Sequence, residues 1–238
     1  MSTTELTQDA PASSRDRILD VAEELFAQRG YTGVGLREVA DAAGLGKSSL
    51  FHHFRGKAEL YSEVLARGLA RVDERVQPAI MLDGSAADRL MKLIDAFIDA
   101  LVADQPAARL FLRALFEDDS LPPGIESIPE FQAGERTLES LVDATRGLIR
   151  DGVKSGEFRR VSAVHTIQTI IGATAYHFAS GDFGEQLLGT PLLSPDAVAT
   201  RRHEVKQMLY HGLIARPDEP AHPQDSRPPH DRDGGTNE

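Results

Sequence analysis

Apolar residues recur every three to four positions along most of this chain, the spacing of a helix with one buried face. Ile18, Val21, Ala22, Leu25 and Phe26 predict a helix from Arg15 to Arg29, with Ser13 or Ser14 placed to cap its start and Gly30 to end it. Leu36, Val39 and Ala40 predict a second, short helix to Ala43, after which Gly44 supplies the freedom for a sharp turn. Leu50 and Phe54 point inward from a third helix that begins at Lys47. A long fourth helix starts near Lys57 with the stripe Leu60, Val64, Leu65, Leu69, Val72 and Val76, and Pro78 is expected to stop it. Leu90, Leu93, Ile94, Phe97, Ile98 and Leu101 carry the next helix, and Pro106 suits the first turn of a sixth ending at Phe116.

Residues 118–130, rich in acids and prolines, read as a loop. Three further helices follow, at about Phe131–Ser155, 161–179 and 195–214; the last opens on Ser194-Pro195-Asp196, a cap, a first-turn proline and an acid. Residues 181–193 read as irregular. Strand-like alternation is absent, so the expected fold class is all-α, with about nine helices. The expected division is a loose tail at 1–14, a three-helix unit at 15–57, a helical bundle at 58–215 and a proline-rich, disordered tail at 216–238.

Composition narrows the function. The chain has 238 residues, 41% of them hydrophobic, and no cysteine, which removes disulfides and thiolate metal sites. No apolar run approaches the ~18–20 residues of a membrane span, and the N-terminus lacks the basic start and apolar block of a secretory signal. A cytoplasmic location fits. The net charge of −11 is unlike a nucleic-acid binder, but it is unevenly spread. Residues 11–57 carry seven basic against six acidic residues, a net +1, which leaves −12 on the rest. Attraction to phosphate acts over a Debye length of ~8 Å, so the local balance matters more than the total.

The stretch LREVADAAGLGKSSLFHHF, Leu36–Phe54, has the form of a helix-turn-helix, two short helices around Gly44-Leu45-Gly46. Small residues at Gly46, Ser48 and Ser49 would let the third helix approach base edges, and Lys57 opens the next helix, where helix N-termini and lysines hold phosphates. Residues 15–60, RDRILDVAEELFAQRGYTGVGLREVADAAGLGKSSLFHHFRGKAEL, resemble the DNA-binding domain of TetR-type (tetracycline-repressor-like) transcriptional regulators. The resemblance covers the three-helix unit and the start of the fourth helix. It is loose further on, where GEFR (Gly156–Arg159) and the two long helices after it look like that family's dimerising region.

That resemblance implies a ligand-responsive regulator, a repressor, that binds a palindromic double-stranded operator as a homodimer through helices 161–179 and 195–214. A small-molecule effector would release it, and no cofactor is implied. By position, Lys47, Ser48 and Ser49 would face bases or adjacent phosphates, His52, His53 and Lys57 the backbone, and Arg37 a phosphate. Phe51 stands where tyrosine is common and lacks its hydroxyl. Val34-Gly35 and Gly46 replace residues that usually cap the second and third helices, so both caps are expected to be weak.

Competing chemistry is thin. Gly46-Lys47-Ser48 ends like a phosphate-binding loop, but that pattern requires glycine at Asp41 and a preceding strand. His203-Glu204 would need histidine at Gln207 to bind zinc, and no nucleophile-bearing GxSxG occurs. Catalytic residues and a metal site are therefore not expected. The aromatic and histidine residues Phe97, Phe111, Phe116, His165, Tyr176 and His177 are candidates for a ligand pocket, although for any one of them a place in an ordinary core is the commoner outcome. Two other classes remain: a helical bundle that binds or converts a small molecule with a merely structural N-terminal unit, and a sequence-indifferent architectural DNA binder, which the near-neutral N-terminal unit argues against.

Overall fold

Serine side chains set three of the helix starts. Ser13 accepts from the Asp16 N–H (3.1 Å) ahead of α1 (Ser14–Arg29), Ser85 from Asp88 (3.0 Å) ahead of α5 (Ala86–Ala103), and Ser194 from Ala197 (3.3 Å) ahead of α10 (Pro195–Leu213). Asp104 does the same for α6 (Gln105–Phe116) through the Ala107 N–H at 3.1 Å. The remaining helices are α2 (Leu36–Ala42), α3 (Lys47–His53), α4 (Lys57–Ile80), α7 (Pro129–Ser155), α8 (Ala163–Ala179) and α9 (Gly181–Leu188). This computed structural model describes residues 13–116 and 121–215, without the side chains of 114–116. The expected tail at 216–238, most of the tail at 1–14 and the Phe116 side chain lie outside the described residues. Ten α-helices and no strand are present among those described, an all-α fold.

Two expectations are corrected. Pro78 does not stop α4, which runs on to Ile80. The Met81 N–H still reaches the Gln77 carbonyl (3.1 Å), and the burial of Val76, Ala79 and Ile80 offsets the bond that proline removes. Residues 181–188, expected as loop, form α9. Its large apolar residues Phe183, Leu187 and Leu188 face outward while Gly184 is the buried position, so no core-facing stripe announced it. The stretch Gly156–Arg159, expected in a dimerising region, also makes contacts within its own protomer. Gly156 (φ 81°) ends α7, and the Phe158 ring folds back onto Gly152, where no side chain would fit. Arg159 N–H donates to Leu213 O and Ala215 N–H to Glu157 O, at 2.9 and 3.0 Å, while the Glu157 carboxylate accepts from Ala87 N–H at 3.1 Å. One short turn thus ties the ends of α7 and α10 to the start of α5.

Two cores form. The N-terminal core joins Ile18, Phe26, Val39, Leu50 and Phe54 with Leu60, Val64 and Leu65 of α4, so it extends past residue 57. Leu110 of α6 and Ile125 of the 3-10 turn Ile125–Ser127 complete it. The second core lies among α4, α5, α6, α7, α8 and α10. Consecutive α6 residues serve different cores, Leu110 the first and Phe111 the second.

Candidate nucleic-acid interface and effector cavity

The turn between α2 and α3 is a helix-ending motif with a left-handed glycine. Gly44 (φ 67°) donates to Asp41 O and Leu45 to Ala40 O, at 3.1 and 2.9 Å, and the half-buried Leu45 side chain packs on the first core. This fixes α3 against α2. Leu50, fully buried, and Phe54 anchor one side of α3, so its other side faces water. Lys47, Ser48, Phe51 and His52 are exposed there, and Ser49 and His53 are half-buried. The Lys47 ammonium lies over the Phe51 ring (5.6 Å) and the two histidine rings meet edge to face at 5.4 Å. Arg37 stands exposed on α2, 3.8 Å from Asp41. At the start of α4, the Lys57 ammonium sits 4.4 Å above the Tyr31 ring, and partial burial lowers its pKa.

The N-caps of α2, α3 and α4 are Gly35, Gly46 and Gly56, and none has a side chain to bond the first turn. Only α4 gains a substitute, the Glu59 carboxylate accepting from Arg55 N–H at 2.6 Å. The expected weak capping of the second and third helices is what the structure has.

Ion pairs lash α1 to α4 at three levels. Arg15 pairs with Glu63, Arg67 with Asp20, and Arg71 with Glu23. The same Arg71 reaches Asp104 at 2.5 Å, so one guanidinium joins α1, α4 and the cap of α6. Burial pushes the Glu23 carboxyl upward, partly offset by Arg71.

In the second core an apolar cavity of about 70 Å³ opens between α4, α5, α6, α7 and α8. Val72, Val76, Phe97, Phe111, Leu141 and Ile170 are among its walls, and Thr145 bonds its own helix through Leu141 O. Phe111 and Leu138 also border a neighbouring space of about 230 Å³ beside Gly68 and Gly134. A third, open cleft of about 800 Å³ lies between the end of α1, α6 and the α8–α9 corner.

The expected pocket residues do not converge. Phe97 and Phe111 meet edge to face (6.1 Å) on the apolar cavity. Tyr176 is 54% exposed and borders the open cleft. His165 is exposed on α8 and borders none of these three spaces. His177 is buried, but its Nε2 is engaged with Leu192 O at 2.8 Å, a core histidine that ties α8 to the segment before α10. The sequence reading missed Gln105, Arg109 and Arg113, spaced four apart on α6 along the open cleft, a stripe that was visible as a pattern. Among the described residues no helix is long and apolar enough to cross a membrane, and no group of three metal-ligating residues could hold an ion.

Comparison with known proteins adds a family to this geometry. Residues 18–64 match the profile for bacterial regulatory proteins of the tetR family, and residues 87–209 the profile for the tetracyclin repressor-like C-terminal domain. The transcriptional activator FasR of Mycolicibacterium smegmatis is 31% identical over 68% of this chain and 71% of its own length. The transcriptional repressor KstR2 of the same organism is 28% identical over 71% and 80%. AibR, solved in complex with isovaleryl coenzyme A and operator DNA, superposes with a TM-score of 0.68 at 18% identity, over 85% of this chain and 100% of that one. FadR of Bacillus subtilis, solved with stearoyl-CoA, gives 0.63 at 20%, over 83% and 98%. At those identities the two structures speak for the fold.

Proposed function

The chain belongs to the tetR family of bacterial regulatory proteins, a ligand-responsive regulator of transcription that binds operator DNA as a dimer, and from that membership we propose how its own residues divide the work. Residues 15–57 are the core of the reading head and 58–215 the sensing and pairing body. Lys47, Ser48 and Ser49 meet base edges or their phosphates, and Phe51, His52, His53, Arg37 and Lys57 grip the backbone. The observation that carries this is the open side of α3: Lys47, Ser48, Phe51 and His52 stand exposed on a helix whose opposite side is anchored by Leu50 and Phe54. Pairing uses α8 and α10, whose outward faces carry Val164, Met208 and Tyr210 at 51%, 58% and 43% exposure, apolar surface that a lone protomer leaves wet.

The effector is an acyl thioester whose chain enters the apolar cavity. The cavity's walls are almost wholly apolar, and structures of the same fold carry isovaleryl coenzyme A and stearoyl-CoA. Release is a population shift, in which the effector favours the arrangement with badly spaced heads and lowers operator affinity by the same coupling factor. The regulator acts in the cytoplasm and has no catalytic role.

Selection of binding sites from random DNA, followed by anisotropy titrations, tests the reading. A palindromic site with half-sites one helical turn or a multiple of a turn apart is expected, with Lys47→Ala or Ser48→Ala altering the preferred bases. Recovery of no preferred sequence, or an unaltered preference in both variants, removes α3 as the reader.

A further inference from the structure

The open cleft of about 800 Å³ at the seam of head and body has no part in the reading so far. Its α6 wall carries Gln105, Arg109 and Arg113, one above the next along a single helical stripe. The facing α8–α9 wall carries the exposed Tyr176 ring, Phe178, and the carboxylates of Asp182 and Glu185. Guanidinium forks match phosphate oxygens, aromatic faces stack on bases, and carboxylates accept from sugar hydroxyls. One cleft therefore holds the three recognition chemistries of a nucleotide.

The cleft also shares its helices with the apolar cavity. Phe97 borders the cavity and Leu101, one turn along α5, borders the cleft; on α8 Ile171 borders the cavity and Phe178, about two turns along, the cleft. We propose that the cleft receives the nucleotide diphosphate of a coenzyme-A thioester, with Arg109 and Arg113 on the phosphates, and that Arg113 carries the signal to the head. The inference rests on the acyl-effector reading above and adds where its polar end sits and what that end moves.

Arg113 is the shared residue. Among its contacts are two long bonds to the last carbonyls of α1, Ala27 O at 3.3 Å and Gln28 O at 3.4 Å. Phosphate is a charged acceptor and forms about twice as strong a bond. A bound diphosphate draws Arg113 into the cleft and frees the end of α1 from α6. Leu110, three residues earlier on α6, is inserted in the head's core, so a shift of α6 at this point also reaches the reader.

Coenzyme A without an acyl group is the decisive probe, because it isolates the polar end. Calorimetry on the full chain should show it binding, with affinity falling on the order of tenfold or more in Arg109→Ala, the loss of one charge-assisted contact. Arg109 is exposed, so the variant should melt with the wild type. Octanoate, which lacks the nucleotide, should bind both proteins equally. Coenzyme A that fails to bind, or that binds Arg109→Ala as well as wild type, overturns the proposal. Operator titrations with isovaleryl-, octanoyl- and stearoyl-CoA separate the layers. If none of the three alters operator affinity, the acyl-effector reading itself fails. If they release the operator from wild type and Arg109→Ala alike, only the cleft assignment falls. If coenzyme A binds the cleft while Arg113→Gln leaves release by the thioesters intact, the relay through Arg113 is wrong.

Discussion

Phe26, Leu50 and Phe54 in the head are sealed to 1% exposure or less, and the rings of Phe26, Tyr31 and Tyr61 close on one another at 5.0–6.4 Å. In the body, the space bounded by Val72, Phe97, Phe111 and Ile170 stays open as a cavity. The two cores belong to one chain and share α4 and α6, so the difference is one of use. A reader must present α3 in one geometry, and close packing with ion pairs at its back enforces that. A sensor must admit a foreign body and respond to it, and a close-packed core would do neither. Coupling then needs an element with a foot in each, which is how α6 is built, with Leu110 in the tight core and Phe111 on the open one.

The largest test of this contrast is Arg71→Met. It removes the guanidinium that joins Glu23 and Asp104 and leaves the Glu23 carboxylate buried without its partner. Stranding one member of a buried pair costs about 3–5 kcal/mol, so chemical unfolding should show a loss of that order. A loss below about 1 kcal/mol would mean that the head is not held to α4 and α6 by this junction. Next in size is a pair of enlargements. Ala22→Val, at a fully buried head position, should destabilise by about 1–3 kcal/mol, whereas Val76→Ile, on the cavity wall, has room to grow and should be neutral or slightly stabilising. Equal penalties at both sites would erase the distinction between the cores.

The same contrast explains what could be read in advance. Nine of the ten helices were expected from the sequence, most by a stripe of apolar residues facing a core, and the α2–α3 turn by Gly44, whose left-handed backbone ends α2 and fixes the entry to α3. The exposed side of α3 was legible because every position there is fixed relative to Leu50 and Phe54. Concealed elements lacked such a signature. α9 buries only a glycine, and Pro78 is a strong local signal that the packing of Ile80 overrode. Two walls of the body's cavity, Phe97 and Phe111, were named as candidates, but their spacing is that of residues in a filled core, so the cavity itself left no signature. His177 was singled out as a histidine, yet its chemistry is spent on Leu192 O.

A smaller effect probes the surface of the head. Lys57→Ala should weaken binding to specific and unrelated DNA alike and flatten the salt dependence by about one unit, the mark of a lost phosphate contact. The lysine also rests on Tyr31, so Lys57→Met, which keeps the aliphatic stem, serves as control for packing. A loss confined to the preferred site would reassign Lys57 to base reading.

The smallest effect lies in the pH dependence of the head's stability. Glu23 has its pKa raised above the ordinary 4.5, chiefly by burial, with Arg71 opposing. In the folded state the carboxyl therefore holds its proton to a higher pH than in the unfolded chain. The folded form binds more protons over that interval, so this residue's contribution to stability is complete below 4.5 and declines as pH rises through the raised folded value. Glu23→Gln removes the titration, and the difference between the two proteins' unfolding free energies should move in the variant's favour across that window and then level off. The opposite slope, with wild type gaining on the variant as pH rises, would show Arg71 outweighing burial. The junction behind the reader would then be a net stabiliser of the head, beyond fixing where α1, α4 and α6 meet.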